Sequence, residues 1–477
     1  MLTSSDLRAP GRIALVACYE LGHQPLSLAS PLAALRASGF SPAAVDTSVE
    51  TLTDATLRAA RLIAISVPMH TALRLGVQVA ERARAVNPAA YIVFYGLYAS
   101  LNADYLLQNL ADAVIGGEYE QAMLALAQAL DSGDDADALA ISGVRTRRVD
   151  AAPVLRRLPF SAPARDSLPP LRSYAHLVRG DEVIPAGYVE ATRGCLHTCL
   201  HCPITPVYGG RFFVVPRPVV LQDIRAQVAA GARHITFGDP DFLNGPGHAL
   251  AITRALHAEF PEVSFDATIK IEHILERREV IAELGQLGCA FIVSAVESLS
   301  PRVLAHLAKG HTRADVEEAL RIVDSAGIPM RPTFVAFTPW TTAEDYLELL
   351  DFVDEQGLVD HIDPVQYAIR LLVPPGSALL GTPDVDEWLG PLDEPSFSYR
   401  WSHPDMRMDA LQSEVAALVE RSAADLRPTA ETFAAVRALA EGRLGQRATA
   451  GVGAPGRMMA SGRSPRPIPH LTEAWFC

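Results

Sequence analysis

The sequence is poor in cysteine, with six in 477 residues, and this excludes a disulfide scaffold. No apolar run approaches the roughly 20 residues that span a bilayer, so no membrane helix is expected. Met1 to Pro10 is polar and mixed in charge, without the basic and apolar regions of a secretory signal. Together these absences predict a cytoplasmic protein with no membrane partner. Basic residues are outnumbered, 41 Lys and Arg against 55 Asp and Glu, for a net charge of −14. A broad nucleic-acid-binding face is thereby excluded. A small-molecule substrate is not, because a local basic pocket suffices even for an anion.

What is present reads as a soluble α/β protein. Hydrophobic residues make up 49% and charged residues 20%. A chain of this length exceeds one ordinary core, so two or three domains are expected.

In 1–130, short β-rich runs (Ile13–Tyr19, Ala43–Asp46, Leu62–Val67, Ala90–Tyr95, Ala113–Ile115) alternate with helical patterns such as Pro31–Ala37 and Leu75–Ala85. That alternation predicts a doubly wound domain with a parallel sheet. Residues 131–180, punctuated by Pro153, Pro159, Pro163, Pro169 and Pro170, read as a Pro-rich linker. Over 181–380 the alternation resumes with six strand candidates: Gly187–Ala191, His234–Phe237, Ser264–Ile269, Phe291–Ala295, Met330–Ala336 and Val365–Leu371. Six βα repeats suit a partial (β/α)6 TIM-type barrel with reactive groups at the strands' carboxyl ends. Residues 381–477 form a helical extension, with patterns at Asp409–Ala424 and Thr429–Gly442, and a Gly-, Arg- and Pro-rich tail.

Three of the six cysteines fall within eight positions, in Arg193-Gly194-Cys195-Leu196-His197-Thr198-Cys199-Leu200-His201-Cys202-Pro203. The segment follows the first barrel strand, so the thiols sit on a loop at its carboxyl end. A [4Fe–4S] cube normally takes four thiolates, and three leave one iron open to a chelating cofactor. A non-catalytic zinc site is the alternative; it needs a fourth ligand such as His197, His201 or Cys289. Gly194 fits a tight turn ahead of the first cysteine.

The spacing Cys-x3-Cys-x2-Cys, with His201 in the aromatic position before the third cysteine, resembles the radical S-adenosylmethionine (SAM) superfamily signature. The resemblance implies a [4Fe–4S] cluster on Cys195, Cys199 and Cys202 that cleaves SAM reductively, fed by a reductant such as flavodoxin or ferredoxin. Gly238-Asp239-Pro240 resembles the family's "GGE" loop, with Asp239 and Pro240 in place of Gly and Glu. Val296-Glu297-Ser298 with Lys309-Gly310-His311-Thr312 resembles its "G-x-E-S…K-G-x-T" block. These likenesses imply cofactor contacts for His201, Gly238, Asp239, Glu297 and Arg331. The alternative is structural, with Glu297 and Arg331 as a barrel ion pair and Asp239 as a helix cap.

Residues 11–130 resemble the cobalamin-binding domain found ahead of many such barrels, through Gly96-Leu97-Tyr98-Ala99-Ser100 and Val114-Ile115-Gly116-Gly117-Glu118-Tyr119-Glu120. The D-x-H-x-x-G motif that supplies a cobalt ligand is absent. Two readings stand: cobalamin held without that histidine, or a domain that only packs on the barrel. The segment Tyr367 to Ser377 and the terminal Cys477 resemble a branch whose chains end in Cys-(selenocysteine or Cys)-Ala-Glu-Pro. That likeness implies a catalytic Cys477 and a sequence ending at a UGA codon; an ordinary terminus with an incidental cysteine is the alternative. That branch includes the radical SAM protein of arsinothricin biosynthesis, and the likeness to it implies transfer of the 3-amino-3-carboxypropyl group of SAM to arsenite. A cobalamin-dependent methylase or C–C-bond-forming enzyme is the rival reading. Cys18 and Cys289 are further thiols that could meet arsenic, or small buried apolar residues.

Overall fold

A computed structural model describes residues 7–156, 159–445 and 468–472. Strands β1 (Ile13–Ala17), β2 (Ala43–Asp46), β3 (Leu62–Ser66), β4 (Tyr91–Tyr95) and β5 (Ala113–Ile115) form a parallel sheet in the order β2-β1-β3-β4-β5. β1 and β3 are buried along their whole length, as expected of apolar runs covered on both faces. This order reverses between β1 and β3, so a crevice opens beyond their carboxyl ends. A further strand, β6 (Val144–Thr146), lies in the segment read as linker and adds antiparallel to β5.

The first helix begins earlier than expected, at Leu26 rather than Pro31. Pro31 has no N–H to give the carbonyl of Ser27, four residues back, which would leave a buried acceptor unpaired. The hydroxyl of Tyr95 donates to that carbonyl at 2.9 Å, so the helix carries its proline without a break.

The second sheet follows. Strands β7 (His176–Arg179), β8 (Glu182–Val189), β11 (His234–Phe237), β12 (Ser264–Thr268), β13 (Cys289–Glu297) and β14 (Met330–Phe334) are joined by a short antiparallel pair, β9 (Thr192–Gly194) with β10 (Phe212–Val214). The sheet order is β14-β13-β12-β11-β8-β7, and β8 to β14 within it run parallel as a half-barrel. Helices Arg217–Ala229, Pro246–Glu259, Arg313–Ser325 and Ala343–Glu355 cover its outer face over the largest core cluster. Capping boxes at Thr312/Asp315 and Thr342/Asp345 start the last two.

The sixth repeat carries no full strand. Asp363-Pro364 turns the chain into the 3-10 helix Pro364–Tyr367, and only Arg370 bridges back to Phe337. The exposed edge of β14 is satisfied instead by the Gln366 side chain, which accepts from the Phe334 N–H at 2.9 Å.

The extension adds an antiparallel hairpin, β15 (Leu389–Asp393) with β16 (Ser398–Trp401), then helices Met406–Ala424 and Thr429–Leu444. The hairpin reaches the first domain: Phe397 packs edge-on against Tyr105, and His70 bonds the Ser396 carbonyl at 2.7 Å. A last strand, β17 (His470–Leu471), pairs antiparallel with β7 and so runs in the direction of β8, toward the barrel mouth. No described helix is long and apolar enough to cross a membrane.

Candidate active site

The Cys loop is built by its neighbours. Gly194 adopts φ +78°, and a Cβ there would lie 2.5 Å from the Arg211 carbonyl and 2.6 Å from the Tyr208 ring. Only glycine allows this approach. The Cys195 N–H then donates to the Arg211 carbonyl, and Asn244 accepts from the Leu196 N–H at 3.2 Å. Thr205 donates its hydroxyl to the Cys199 carbonyl at 2.9 Å. Cys195 and Cys199 are buried and Cys202 is half-buried; none is in a disulfide. Burial pushes the Cys195 and Cys202 thiols up, the latter to about 11. Thiolate forms there when a metal takes the proton's place.

The residues that would complete a zinc site are engaged elsewhere. His201 faces Glu297 at 3.2 Å, and His197 faces Asp241 at 3.1 Å. Cys289 starts β13 at the opposite end of the sheet, about 26 Å of strand away from Glu297. Three thiols on one loop, with no fourth thiol beside them among the described residues, match a four-iron cluster with one open iron.

Glu297 ends β13 with φ +66°, in the left-handed region rarely used by residues with a side chain. The register of β13 on β14 shifts between Ala295 and Glu297, and such irregularities re-aim side chains at sites. Burial works against ionisation of Glu297, but Lys309 at 3.5 Å and the His201 hydrogen bond prevail and hold it at about 2. The expected partner of Glu297 in an ion pair was Arg331; the structure supplies Lys309. Arg331 lies half-buried on β14 opposite Val293.

Asp239 caps no helix. Its carboxylate accepts from the Ala191 N–H at 2.9 Å and the Thr192 hydroxyl at 2.6 Å, tying β11 to the strand end ahead of the cysteines. Burial pushes its carboxyl up to about 7, against those two bonds. Gly238 backs onto Tyr188, whose hydroxyl would stand 1.9 Å from any Cβ. Cys477 lies outside the described residues.

Several residues at this mouth were not singled out from the sequence. The chain has two lysines, Lys270 and Lys309, and both stand here. That scarcity was a readable signal. Asp241, which caps the turn at Leu243, is held at about 2 by His197 and His273 in spite of burial. Arg193 is a clamp as well as part of a turn: it reaches Glu118 at 3.2 Å, Glu120 at 2.6 Å and Glu190 at 2.8 Å. Its guanidinium lies over the rings of both Tyr119 and Phe160, 5.5 and 5.2 Å from their centres. The Gly116-Gly117-Glu118-Tyr119-Glu120 element thus grips the loop that carries the cysteines. Gly116 and Gly117 are not an open cradle, because Pro153 and Val154 lie against them.

Between the two sheets is an open cleft. Glu20, Ser66 and Gly96 line it from the first domain, and Tyr188, Arg193 and Gly238 from the barrel. His23 stacks on Tyr188 there, ring centres 4.8 Å apart. Burial pushes Glu20 up to about 8, so the wall carries a neutral carboxyl hydrogen-bonded with Ser27. Cys18 is buried behind this wall, its thiol pushed up to about 11 by burial.

Residues 189–353 match the model of the radical SAM superfamily. Among curated proteins, the chain is 23% identical over 304 residues to an uncharacterised methyltransferase of Pyrococcus horikoshii, covering 62% of this chain and 64% of that one. It is 24% identical over 269 residues to hopanoid C-3 methylase of Methylococcus capsulatus, covering 55% and 50%. The chain therefore spans less than two thirds of these relatives' own length. The solved structure of OxsB, a cobalamin-dependent SAM radical enzyme with aqua-cobalamin bound, superposes with TM-score 0.68 at 17% identity, over 86% of this chain and 67% of OxsB. The radical SAM methyltransferase TsrM of Kitasatospora setae gives 0.58 at 19% identity, over 72% and 71%. The thiol loop at the mouth of a half-barrel and the family match agree, and residues 189–353 are a radical SAM domain.

Proposed function

We propose that the chain transfers a group derived from SAM to a small acceptor held in the interdomain cleft. One observation carries this reading: Arg193 and Gly194 line the cleft, and Cys195 is the next residue, so cluster loop and cleft are contiguous. A cluster held by Cys195, Cys199 and Cys202 supplies one electron, from a flavodoxin- or ferredoxin-like donor, to break a C–S bond of SAM. Ionised Glu297 offers an acceptor to an ammonium or hydroxyl group of the cofactor, and Arg331 a cation for its carboxylate. Gly238 keeps the floor free of a side chain beside Tyr188. Arg193 fixes the loop against the opposite wall.

The specific form proposed is aminocarboxypropyl transfer to arsenite. It rests on the motif likeness of the tail. A second reading, cobalamin-dependent methyl transfer, draws on the likeness to OxsB and TsrM and on the crevice between β1 and β3. Reconstitution with iron and sulfide without oxygen, then dithionite and SAM, separates them by the nucleoside formed. Methylthioadenosine that increases with arsenite supports the first. S-adenosylhomocysteine, with cobalamin bound stoichiometrically, supports the second. No nucleoside product from protein with an intact four-iron cluster would overturn both.

A further inference from the structure

Three residues that the proposed reaction leaves unused meet beside the Cys loop. His197 stands on that loop, Asp241 follows β11, and His273 lies in the helix Ile271–Glu276 after β12. Three successive strand ends each give one side chain. Asp241 Oδ2 lies 3.1 Å from His197 Nε2 and 2.7 Å from His273 Nδ1. All three donor atoms fall within 4.8 Å of one another.

The two contacts differ in kind. His197 and Asp241 make an ordinary hydrogen bond. His273 Nδ1 is closer still, buried, and off the line of an ideal hydrogen bond to that carboxylate. Two imidazole nitrogens from different strand ends that converge on one buried carboxylate are placed as ligands of one cation are. Tetrahedral ligands at roughly 2.0–2.1 Å stand about 3.3 Å apart, near the 3.1 and 2.7 Å that separate Asp241 Oδ2 from the two imidazole nitrogens.

We infer that His197, Asp241 and His273 form a mononuclear site for a borderline divalent cation of the zinc or iron(II) class, separate from the thiol-held cluster. Two imidazoles and one carboxylate are a donor set of that hardness, and half-buried His197 and Glu272 leave solvent a way to the remaining positions. The surroundings supply a partner for the far side of His197. Lys270 Nζ lies 3.1 Å from His197 Nδ1 and 2.8 Å from Glu272, whose carboxylate is 3.8 Å from the same nitrogen. With the cation on Nε2, Nδ1 carries a proton. Lys270 then gives way and Glu272 accepts that proton, the carboxylate–histidine–metal arrangement. The ion ties the Cys loop to the next two strand ends.

The test uses protein already loaded with its four-iron cluster, so that the cysteines are occupied, and zinc(II) alone as the probe. One zinc per chain is expected, with only nitrogen and oxygen neighbours at the zinc X-ray absorption edge. His273→Ala should weaken uptake at least tenfold, with iron and sulfide content unchanged. Lys270→Met, which removes a competing cation without touching a ligand, should tighten it. No zinc uptake by the loaded wild type, a sulfur shell around zinc, or uptake unaltered in His273→Ala would overturn the site.

Discussion

Two parallel sheets aim the carboxyl ends of their strands at one cleft, and they arm those ends differently. The half-barrel brings thiols, both lysines of the chain, His201 and an ionised Glu297. The doubly wound sheet brings glycines, Ser66 and the neutral Glu20, and spends its charged Glu118 and Glu120 on Arg193 of the other sheet. The same βα geometry thus makes a reactive face and a wall. The difference lies in what each loop does with its charge: one collects it around a space, the other discharges it across the interface.

The comparison breaks first at the cysteines. Cys199→Ala should abolish the four-iron cluster and SAM cleavage while leaving the fold intact, as read by iron content and far-UV circular dichroism. Removing the clamp comes next. Arg193→Ala leaves buried Glu118 and half-buried Glu120 and Glu190 without their cation and should cost about 3–5 kcal/mol in denaturant unfolding. Glu297→Gln keeps the cluster and removes the charge facing Lys309 and His201, and should weaken SAM affinity roughly 10–100-fold. A barrel substitution far from the mouth gives the baseline: Thr342→Ala deletes one helix cap and should cost about 1 kcal/mol with the cluster unaffected.

The wall has its own signature in pH. Glu20 is raised by burial to about 8 in the folded chain, so the native state keeps a proton that the unfolded chain loses near the ordinary carboxyl range. Its contribution to stability is present at acid pH and is lost progressively as pH rises from about 4.5 to 8. Glu20→Gln should flatten that slope in urea midpoints taken across this window.

Where local chemistry decides structure, the sequence was readable. The Cys loop announced itself through spacing, and β2, β5 and β11 through apolar runs with the same ends as the structure. Elements set by distant partners were not. The first helix hides its proline because Tyr95, far along the chain, takes the freed carbonyl. The sixth strand is displaced because Gln366 answers the edge of β14 with a side chain. β6 sits among prolines and charges and becomes a strand only because the edge of β5 is there to pair with. At the site, the Glu297–Lys309 pairing depends on a left-handed residue and a register shift, which no periodicity announces. Asp239 was chosen by motif, and its carboxylate holds backbone and Thr192.

In the proposed reaction, three thiols leave one iron of a cube free for SAM. Electron paramagnetic resonance of the reduced, anaerobically rebuilt protein, recorded with and without SAM, addresses this directly. A four-iron signal that changes when SAM is added is the predicted result. A four-iron signal indifferent to SAM, or none at all, would contradict it.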